Sequence, residues 1–105
     1  GVWAQPRLLE AGGGLRAPGD SVLLSCRGDG YRFEIHGVWW YRQTPDGRLE
    51  WLSVINSDSS VTDFGHSVKG RATVSRNNSR YESSLLLRAL HSRDSALYFC
   101  SAAQR

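Results

Sequence analysis

Two cysteines, Cys26 and Cys100, lie near opposite ends of this 105-residue chain, and they constrain its fold more than any other feature. A disulfide between them would close a loop of most of the chain and remove roughly 4 to 5 kcal/mol of unfolded-state entropy. Such a bridge requires an oxidising compartment. Two buried free thiols are the alternative, because spacing alone does not decide between them.

Length and composition indicate one globular domain. The chain is 40% hydrophobic and 22% charged, which is typical of a folded protein. Its net charge of +3 comes from arginines scattered along the sequence, not clustered as in a nucleic-acid-binding stripe. No apolar run reaches the roughly 20 residues of a membrane-spanning helix. Nucleic acid is therefore not predicted as a partner, and neither is direct membrane insertion of this segment.

Short alternations of apolar and polar residues, separated by turn residues about every ten positions, predict an all-β fold of antiparallel strands. Pro18 followed by Gly19 suits a type II turn, and residues 44–47 suit a type I turn. The predicted strands are Arg7–Glu10, Ser21–Arg27, Gly37–Gln43, Leu49–Asn56, Val61–Phe64, Arg71–Arg76, Ser83–Leu90 and Ala96–Ser101.

Side chains alternate between the two faces of a strand, so an inward cysteine assigns its neighbours. In the last predicted strand, an inward Cys100 places Tyr98 inward and Phe99 on the opposite face. In the strand that contains Trp39 and Trp40, one tryptophan is buried and the other faces outward. Parity alone does not choose between them.

Six motifs occur in an order and spacing that resemble the variable domain of immunoglobulins, most closely the heavy-chain type. They are LLEAGGGL (8–15), LSC (24–26), WYRQTPDGRLEW (40–51), SVKGR (67–71), SRNNS (75–79) and DSALYFC (94–100). A Cys, then a Trp, then a Tyr two residues before a second Cys are hallmarks of this sandwich. The resemblance covers essentially the whole chain. It implies a V-type Greek-key sandwich of two antiparallel sheets from which the last strand, strand G, is missing.

The resemblance also implies structural roles for several residues. It makes Trp40 the buried tryptophan and places Trp39 at the edge of a loop. It implies a disulfide between Cys26 and Cys100, with the indole of Trp40 packed on it, and a Tyr98 hydroxyl that returns to the backbone. It also implies an ion pair of Arg71 with Asp94 at one end of the sandwich, which a second pair, Arg42 with Glu50, joins.

With Trp40 inward, parity leaves a set of large side chains on the outside of one sheet, which we call the outer apolar face. It comprises Tyr41, Gln43, Leu49, Trp51, Leu97 and Phe99. A patch of this size needs a partner, and in the family the partner is a light-chain-type variable domain, with Gln43 hydrogen-bonded across the interface. Tyr41 and Arg48 depart from the usual heavy-chain pattern toward single-domain or T-cell-receptor-like variants. The retained Leu49 and Trp51 favour pairing over a domain that works alone.

The resemblance places two hypervariable loops at one end of the sandwich, a first loop at residues 31–39 and a second loop at residues 54–63. Aromatic side chains beside small hydrogen-bonding ones are typical of an antigen-binding surface. The predicted antigen-binding residues are Tyr31, Arg32, Glu34, His36 and Trp39 in the first loop, and Asn56, Ser57, Asp58, Ser59 and Ser60 in the second. Polar loops on a non-binding domain are the alternative.

Both ends of the sequence resemble an unrearranged germline variable segment. Residues 1–4 fit the end of a leader peptide, with Val2 and Ala4 at the small-residue positions of a signal peptidase site. The variable domain would then span residues 5–105. Only residues 101–105 follow the second cysteine, without the joining motif of the family. We therefore expect the sheet that contains Phe99 to have an unpaired edge until a joining segment supplies a strand.

No pattern indicates catalysis, a metal or a cofactor. His36, His66 and His91 are dispersed, and the sequence has no nucleophile elbow. The glycines at 12–14 lack the strand-to-helix context and the lysine of a phosphate-binding loop. Asn77, in the triplet Asn-Asn-Ser at residues 77–79, is an acceptor for N-glycosylation on a predicted turn.

The sequence thus predicts the antigen-binding variable domain of an immunoglobulin heavy chain. Such a domain is extracellular, either secreted or held at the cell surface through constant domains, and serves adaptive immunity by recognition without chemistry. Two alternatives stay open. One is a heavy-like variable domain of a T-cell receptor chain, which Tyr41 favours. The other is a non-rearranging V-set adhesion or regulatory receptor.

Overall fold

A computed structural model describes residues 7–10, 17–28 and 32–102 of the chain. The predicted leader remnant at residues 1–4, the glycines at 12–14 and Tyr31 lie outside the described residues, and the domain boundary at residue 5 stays a prediction. The strands of the described residues are β1 (Arg7–Glu10), β2 (Val22–Arg27), β3 (Val38–Gln43), β4 (Leu49–Ile55), β5 (Thr62–Phe64), β6 (Ala72–Asn77), β7 (Glu82–Leu87) and β8 (Leu97–Ala102). Single turns of 3-10 helix occupy Phe33–Ile35, Asn78–Arg80 and Ser92–Asp94.

The strands form two sheets, one of five strands in the order β1-β8-β3-β4-β5 and one of three in the order β2-β7-β6. All neighbouring strands are antiparallel. The disulfide between Cys26 on β2 and Cys100 on β8 joins the two sheets, with a Cα–Cα distance of 6.4 Å. The predicted all-β sandwich and its disulfide are confirmed, and the alternative of two free thiols is excluded.

The core lies between the two sheets and centres on Trp40, whose side chain is completely buried. Its indole Nε1 donates a hydrogen bond to Ser83 Oγ on the opposite sheet at 3.3 Å. Ser83 Oγ in turn donates to the carbonyl oxygen of Ser75 at 2.9 Å. This chain of bonds satisfies the polar atom that tryptophan brings into an apolar core. Parity had left Trp39 and Trp40 undecided, and the structure buries Trp40 and leaves Trp39 half-buried.

The unpaired edge expected in this sheet does not lie on β8, the strand that contains Phe99. Strand β1 pairs with β8 in antiparallel register, with Leu8 opposite Phe99 and Leu9 opposite Tyr98. Backbone N–H and C=O groups along a sheet edge gain free energy from a paired strand. Strand β1 supplies such a strand, so the edge of β8 is paired with another segment of the same chain.

A β-bulge interrupts the pairing of β3 with β4. Tyr41 lies opposite Trp51, but the preceding residue, Trp40, lies opposite Ser53, so Leu52 is the extra residue. A bulge reverses the alternation beyond it. As a result Leu52 and Ser53 are both buried, while Trp51 on one side of the bulge and Val54 on the other both stay half-buried.

Candidate functional site

The outer apolar face consists of two cross-strand rows on the five-stranded sheet. Because β8, β3 and β4 are neighbours, residues in register on them form continuous rows. Each row takes one residue from β8, β3 and β4 in that order: Phe99, Tyr41 and Trp51 in the first, and Leu97, Gln43 and Leu49 in the second. The face is thus one contiguous surface.

The apolar character of this face reaches the solvent. Leu49 is 58% exposed and Leu97 is 40% exposed. The rings of Tyr41 and Phe99 stack at a centroid distance of 5.8 Å with 22° between their planes. Scattered exposed leucines are normal on a protein surface, whereas leucines that flank a stacked aromatic pair form a patch. Burial of this patch against a second protein would be favourable.

Trp51 is held in the outer apolar face by packing. The turn at Gly65 approaches the Trp51 carbonyl so closely that a Cβ at position 65 would collide with it. The indole N–H of Trp51 is buried and has no hydrogen-bond partner among the residues that the structure describes. Leaving such a donor unsatisfied costs about 1–3 kcal/mol. Only glycine at position 65 allows this close approach of the two segments beside the ring.

A tight turn supports Gln43 at the edge of the outer apolar face. The amide of Gly47 donates to the Thr44 carbonyl oxygen at 2.8 Å, and the Thr44 hydroxyl donates to the Asp46 carboxylate. This hydroxyl and the amide of Arg48 lower the pKa of Asp46. Gln43 Nε2 donates to the Gly47 carbonyl oxygen at 3.3 Å. The turn thus orients the side chain that the resemblance assigns to the interface.

The first loop is anchored by an aromatic ring and exposes the residues beside it. Phe33 begins the 3-10 turn and is buried, whereas Glu34 and Ile35 are exposed. Arg32, before the turn, is also exposed and adopts a positive φ of 57°. His36 differs from the prediction, because it is only 6% exposed. It lies beneath the loop and does not present its side chain to a ligand in this conformation.

The second loop is a hairpin tip closed by its own side chains. Asn56 Oδ1 accepts from the Val61 amide at 2.9 Å, and Asn56 Nδ2 donates to Ser60 Oγ at 2.9 Å. The amide of Ser60 donates to Asp58 Oδ1 at 3.0 Å, and hydrogen bonds from Ser60 lower the pKa of Asp58. The carboxamide of Asn56 is therefore used inside the loop. Asp58, Ser59 and Ser60 are exposed at its tip, and Ser57 is half-buried.

Arg76 on β6 ties the two loops together. Its Nη1 donates to the carbonyl oxygens of His36 at 2.7 Å and Asn56 at 2.9 Å, and its Nη2 donates to that of Phe33 at 2.9 Å. The guanidinium also lies over the Phe33 ring, 4.6 Å from the centroid. Burial lowers the pKa of Arg76. One cation thus contacts the backbone of both loops.

Asn78 extends this brace. Its Oδ1 accepts from Arg76 Nε at 2.7 Å, and its Nδ2 donates to the Ser57 carbonyl oxygen at 2.9 Å. The 3-10 turn that begins at Asn78 is therefore connected to the second loop as well as to β6. Together, Arg76 and Asn78 hold the loops in one arrangement.

A buried ionic cluster lies at the other end of β3. Arg42 Nη1 is 2.8 Å from Asp94 Oδ1, and its Nε is 2.7 Å from Glu50 Oε1. Arg71 Nη1 is 2.9 Å from Asp94 Oδ2. The Tyr98 hydroxyl donates to the Asp94 carbonyl oxygen at 2.7 Å and accepts from Arg42 Nη1 at 2.9 Å. Each partner is satisfied by at least one other member of the cluster.

The pKa values of this cluster follow from burial and charge. Burial alone would raise the pKa of Asp94, but hydrogen bonds from Arg71, from the His91 amide and from Arg42 outweigh it and hold that pKa far below its ordinary value. Burial opposes the charge of Arg42, and its hydrogen bonds to Asp94, Glu50 and Tyr98 raise its pKa nonetheless. Both groups are charged at any physiological pH. The cluster connects β3, β4 and β8 with the turn at Ser92–Asp94 and with Arg71, just before β6.

Several residues of the site were not identified from the sequence. Ile35 is exposed at the tip of the first loop, and Val54 lies opposite Trp39 on the outer surface of the five-stranded sheet. Arg76 and Asn78 belong to the motif SRNNS, which by itself does not predict their contacts with the loops. An arginine inside a predicted strand, with no acidic residue within five positions in the sequence, is a signal that could have singled out Arg76.

The described part of the chain offers little for chemistry. Among these residues, no three His, Cys, Asp or Glu side chains lie together in a way that could hold a metal ion. Their helical elements are single 3-10 turns, too short to span a membrane. The described site is a pair of surfaces for contact, one on a sheet and one on two loops.

A comparison with family models gives the identity of the fold. Residues 15–105 match the model of the immunoglobulin V-set domain. Domains of this family are in general non-enzymatic binding modules, typically pair with other immunoglobulin domains, and are typical of extracellular or secreted proteins. Because the match spans most of the sequence, the chain belongs to the immunoglobulin V-set family.

Proposed function

We propose that this chain is the antigen-binding variable domain of an immunoglobulin heavy chain, and that it pairs with a light-chain-type variable domain through the outer apolar face. The proposal rests on one observation: on three neighbouring strands, two exposed leucines lie in the cross-strand row next to the row that contains a stacked tyrosine and phenylalanine. Covering such a face with a second protein removes apolar surface from water, which is favourable. In this role the domain is extracellular and acts by binding, without a reaction.

The two loops support recognition at the end of the sandwich. Their exposed residues include acidic, apolar and hydroxyl-bearing side chains: Glu34, Ile35, Asp58, Ser59 and Ser60. Arg76 holds both loops from below, so this set is pre-organised. Pre-organised loops lose less conformational entropy on binding and therefore bind more tightly. We infer that these residues, with Trp39 and Arg32 at the rim, contact the antigen.

A heavy-like variable domain of a T-cell receptor chain is the second candidate. Tyr41 favours it, because tyrosine at this position departs from the usual heavy-chain pattern and here stacks on Phe99. Both candidates use the same face for pairing. They differ in the constant domains that would follow in the complete receptor.

The pairing face is tested with two matched leucine variants. The chain is secreted together with a panel of light-chain variable domains, and heterodimers are measured by sedimentation. Leu49→Arg places a charge in the proposed interface and should weaken heterodimers by about tenfold or more. Leu23→Arg is the control, since Leu23 is 63% exposed on the three-stranded sheet. Equal effects of the two variants, or no heterodimer with any light chain, would reject the proposed pairing.

The sequences of transcripts distinguish an antigen receptor from a non-rearranging adhesion or regulatory receptor. Messages that contain this segment are sequenced beyond Arg105. Diverse continuations that end in a shared joining motif would support an antigen receptor. A single fixed continuation would instead support the non-rearranging adhesion or regulatory receptor, and constant-region sequence would decide between the immunoglobulin and T-cell receptor candidates.

A further inference from the structure

Asn77 differs from the other asparagines of the chain in what its carboxamide does. The sequence has three asparagines, at positions 56, 77 and 78. Asn56 and Asn78 use both carboxamide atoms in hydrogen bonds that shape the second loop and its brace. Asn77 is exposed at the end of β6, and only its Oδ1 is engaged, by the Ser79 hydroxyl at 2.7 Å. Among the described residues, nothing accepts a hydrogen bond from Asn77 Nδ2.

The same asparagine heads the sole acceptor triplet for N-glycosylation in the sequence, Asn77-Asn78-Ser79. The disulfide between Cys26 and Cys100 belongs to a protein that folds in an oxidising compartment. N-glycosylation takes place in the same secretory route. The accessible nitrogen, the triplet and the compartment are three separate requirements, and this one residue meets them all.

We propose that Asn77 carries an N-linked oligosaccharide. In the transfer step, Asn77 Nδ2 forms a bond to the anomeric carbon of a lipid-linked pyrophosphate oligosaccharide. The bond between that carbon and the pyrophosphate oxygen breaks, its electron pair leaves with the pyrophosphate, and the amide nitrogen releases one proton. This inference goes beyond the proposed function, because it does not require pairing or antigen binding.

The position of Asn77 determines what the glycan covers. Asn77 ends the outer strand of the three-stranded sheet and pairs with Glu82, so the glycan starts at the turn formed by residues 78–81. The next residue, Asn78, donates to the Ser57 carbonyl oxygen, so the second loop lies alongside. The outer apolar face belongs to the other sheet. The glycan therefore shields the turn and one flank of the second loop and leaves the pairing face open.

Occupancy is tested on the full chain secreted from a eukaryotic cell. Peptide-N-glycosidase should convert Asn77 to Asp with loss of one oligosaccharide in the unmodified sequence and in Ser79→Thr, which keeps the triplet. Asn77→Gln and Ser79→Ala should be secreted without the oligosaccharide. An unmodified Asn77 in secreted, disulfide-bonded protein would overturn the proposal. Heterodimers with light chains in that same sample would show that the proposed function stands independently.

Shielding is tested by limited trypsin digestion. The Arg80 side chain is 63% exposed, three residues after the glycan site. Cleavage after Arg80 should be several-fold slower in glycosylated protein than in Asn77→Gln. Cleavage after exposed Lys69, in the turn before β6, should be equal in both and serves as the internal control. Equal rates at Arg80 would overturn the shielding, and slower cleavage at both sites would indicate a change in global stability instead.

Discussion

At the scale of single residues, Asp94 shows how a charge is kept inside a small sandwich. Its carboxylate accepts from Arg42 and Arg71 and from the His91 amide, and its own carbonyl oxygen accepts from Tyr98. A buried pair of this kind adds little stability compared with well-packed apolar groups. Removal of one partner is costly nonetheless, because it leaves a buried charge uncompensated.

Asp94→Asn should therefore lower the free energy of unfolding by about 3 to 5 kcal/mol at neutral pH. The folded-state pKa of Asp94 is depressed, so its stabilising contribution is complete above the unfolded-state pKa of about 3.9 and is lost as the pH falls toward the folded-state pKa. Urea unfolding measured from neutral pH downward should show the difference from the unmodified chain shrinking below about pH 4. Asp63→Asn is the control, since Asp63 is exposed on β5. A difference that persists at low pH would show that the loss comes from packing.

Arg76→Lys should loosen both loops without unfolding the domain. Lysine keeps the charge, but it lacks the planar fork that reaches three carbonyl oxygens at once. Hydrogen exchange at residues 32–36 and 56–61 should become about tenfold faster, which corresponds to the loss of roughly 1.4 kcal/mol. Arg88→Lys is the matched control variant, because Arg88 donates to the Thr73 hydroxyl at 2.7 Å, away from the loops. If exchange in only one loop changed, Arg76 would not be their common support.

At the scale of elements, alternation and turn residues predicted each strand of the described residues to within a few residues, and the deviations at strand ends have local causes. Strand β7 was expected to reach Leu90 but ends at Leu87. Ala89 adopts a positive φ of 52°, so the chain turns and Leu90 docks on the turn at residues 17–20, where its amide donates to the Asp20 carbonyl oxygen. A left-handed alanine leaves no mark in an apolar pattern. The bulge at Leu52 and the carbonyl partners of Arg76 have a different cause, because they depend on contacts distant in sequence, which an apolar pattern does not predict.

The pairing of β1 with β8 could not be predicted from the sequence either, because the alternation of apolar and polar residues does not show which strand pairs with a given sheet edge. Deletion of residues 1–10 should expose the backbone groups along β8 and promote self-association. Sedimentation should then show concentration-dependent oligomers, and amides of residues 97–102 should exchange faster. Deletion of residues 1–4 alone leaves β1 in place and is the control. A monomeric deletion variant with unchanged exchange would show that β1 is dispensable for the edge.

At the scale of the whole molecule, the sandwich separates stability from recognition. The ionic cluster of Arg42, Asp94 and Arg71 lies at one end of β3, and the two loops lie at the other, where Arg76 supports them from the second sheet. Changes in the exposed loop residues therefore leave the cluster intact. The outer apolar face runs along the same strand but points away from the core, so a partner can cover it without disturbing either end.

The ionic cluster and the two loops keep their relative positions only while the two sheets stay packed together. The disulfide is the covalent link between the two sheets. Cys26→Ala with Cys100→Ala should lower the free energy of unfolding by about 4 kcal/mol, since the unfolded chain regains the entropy of a long loop. The free energy of unfolding of a domain of this size is about 5–15 kcal/mol, so the double variant would lose a large fraction of it. Chemical unfolding of the oxidised chain and the double variant measures the difference. Because the hydrogen bond from Trp40 to Ser83 would still bridge the sheets, we expect the variant to fold at low temperature. An unchanged unfolding midpoint would show that the packing around Trp40, without the disulfide, sets the stability.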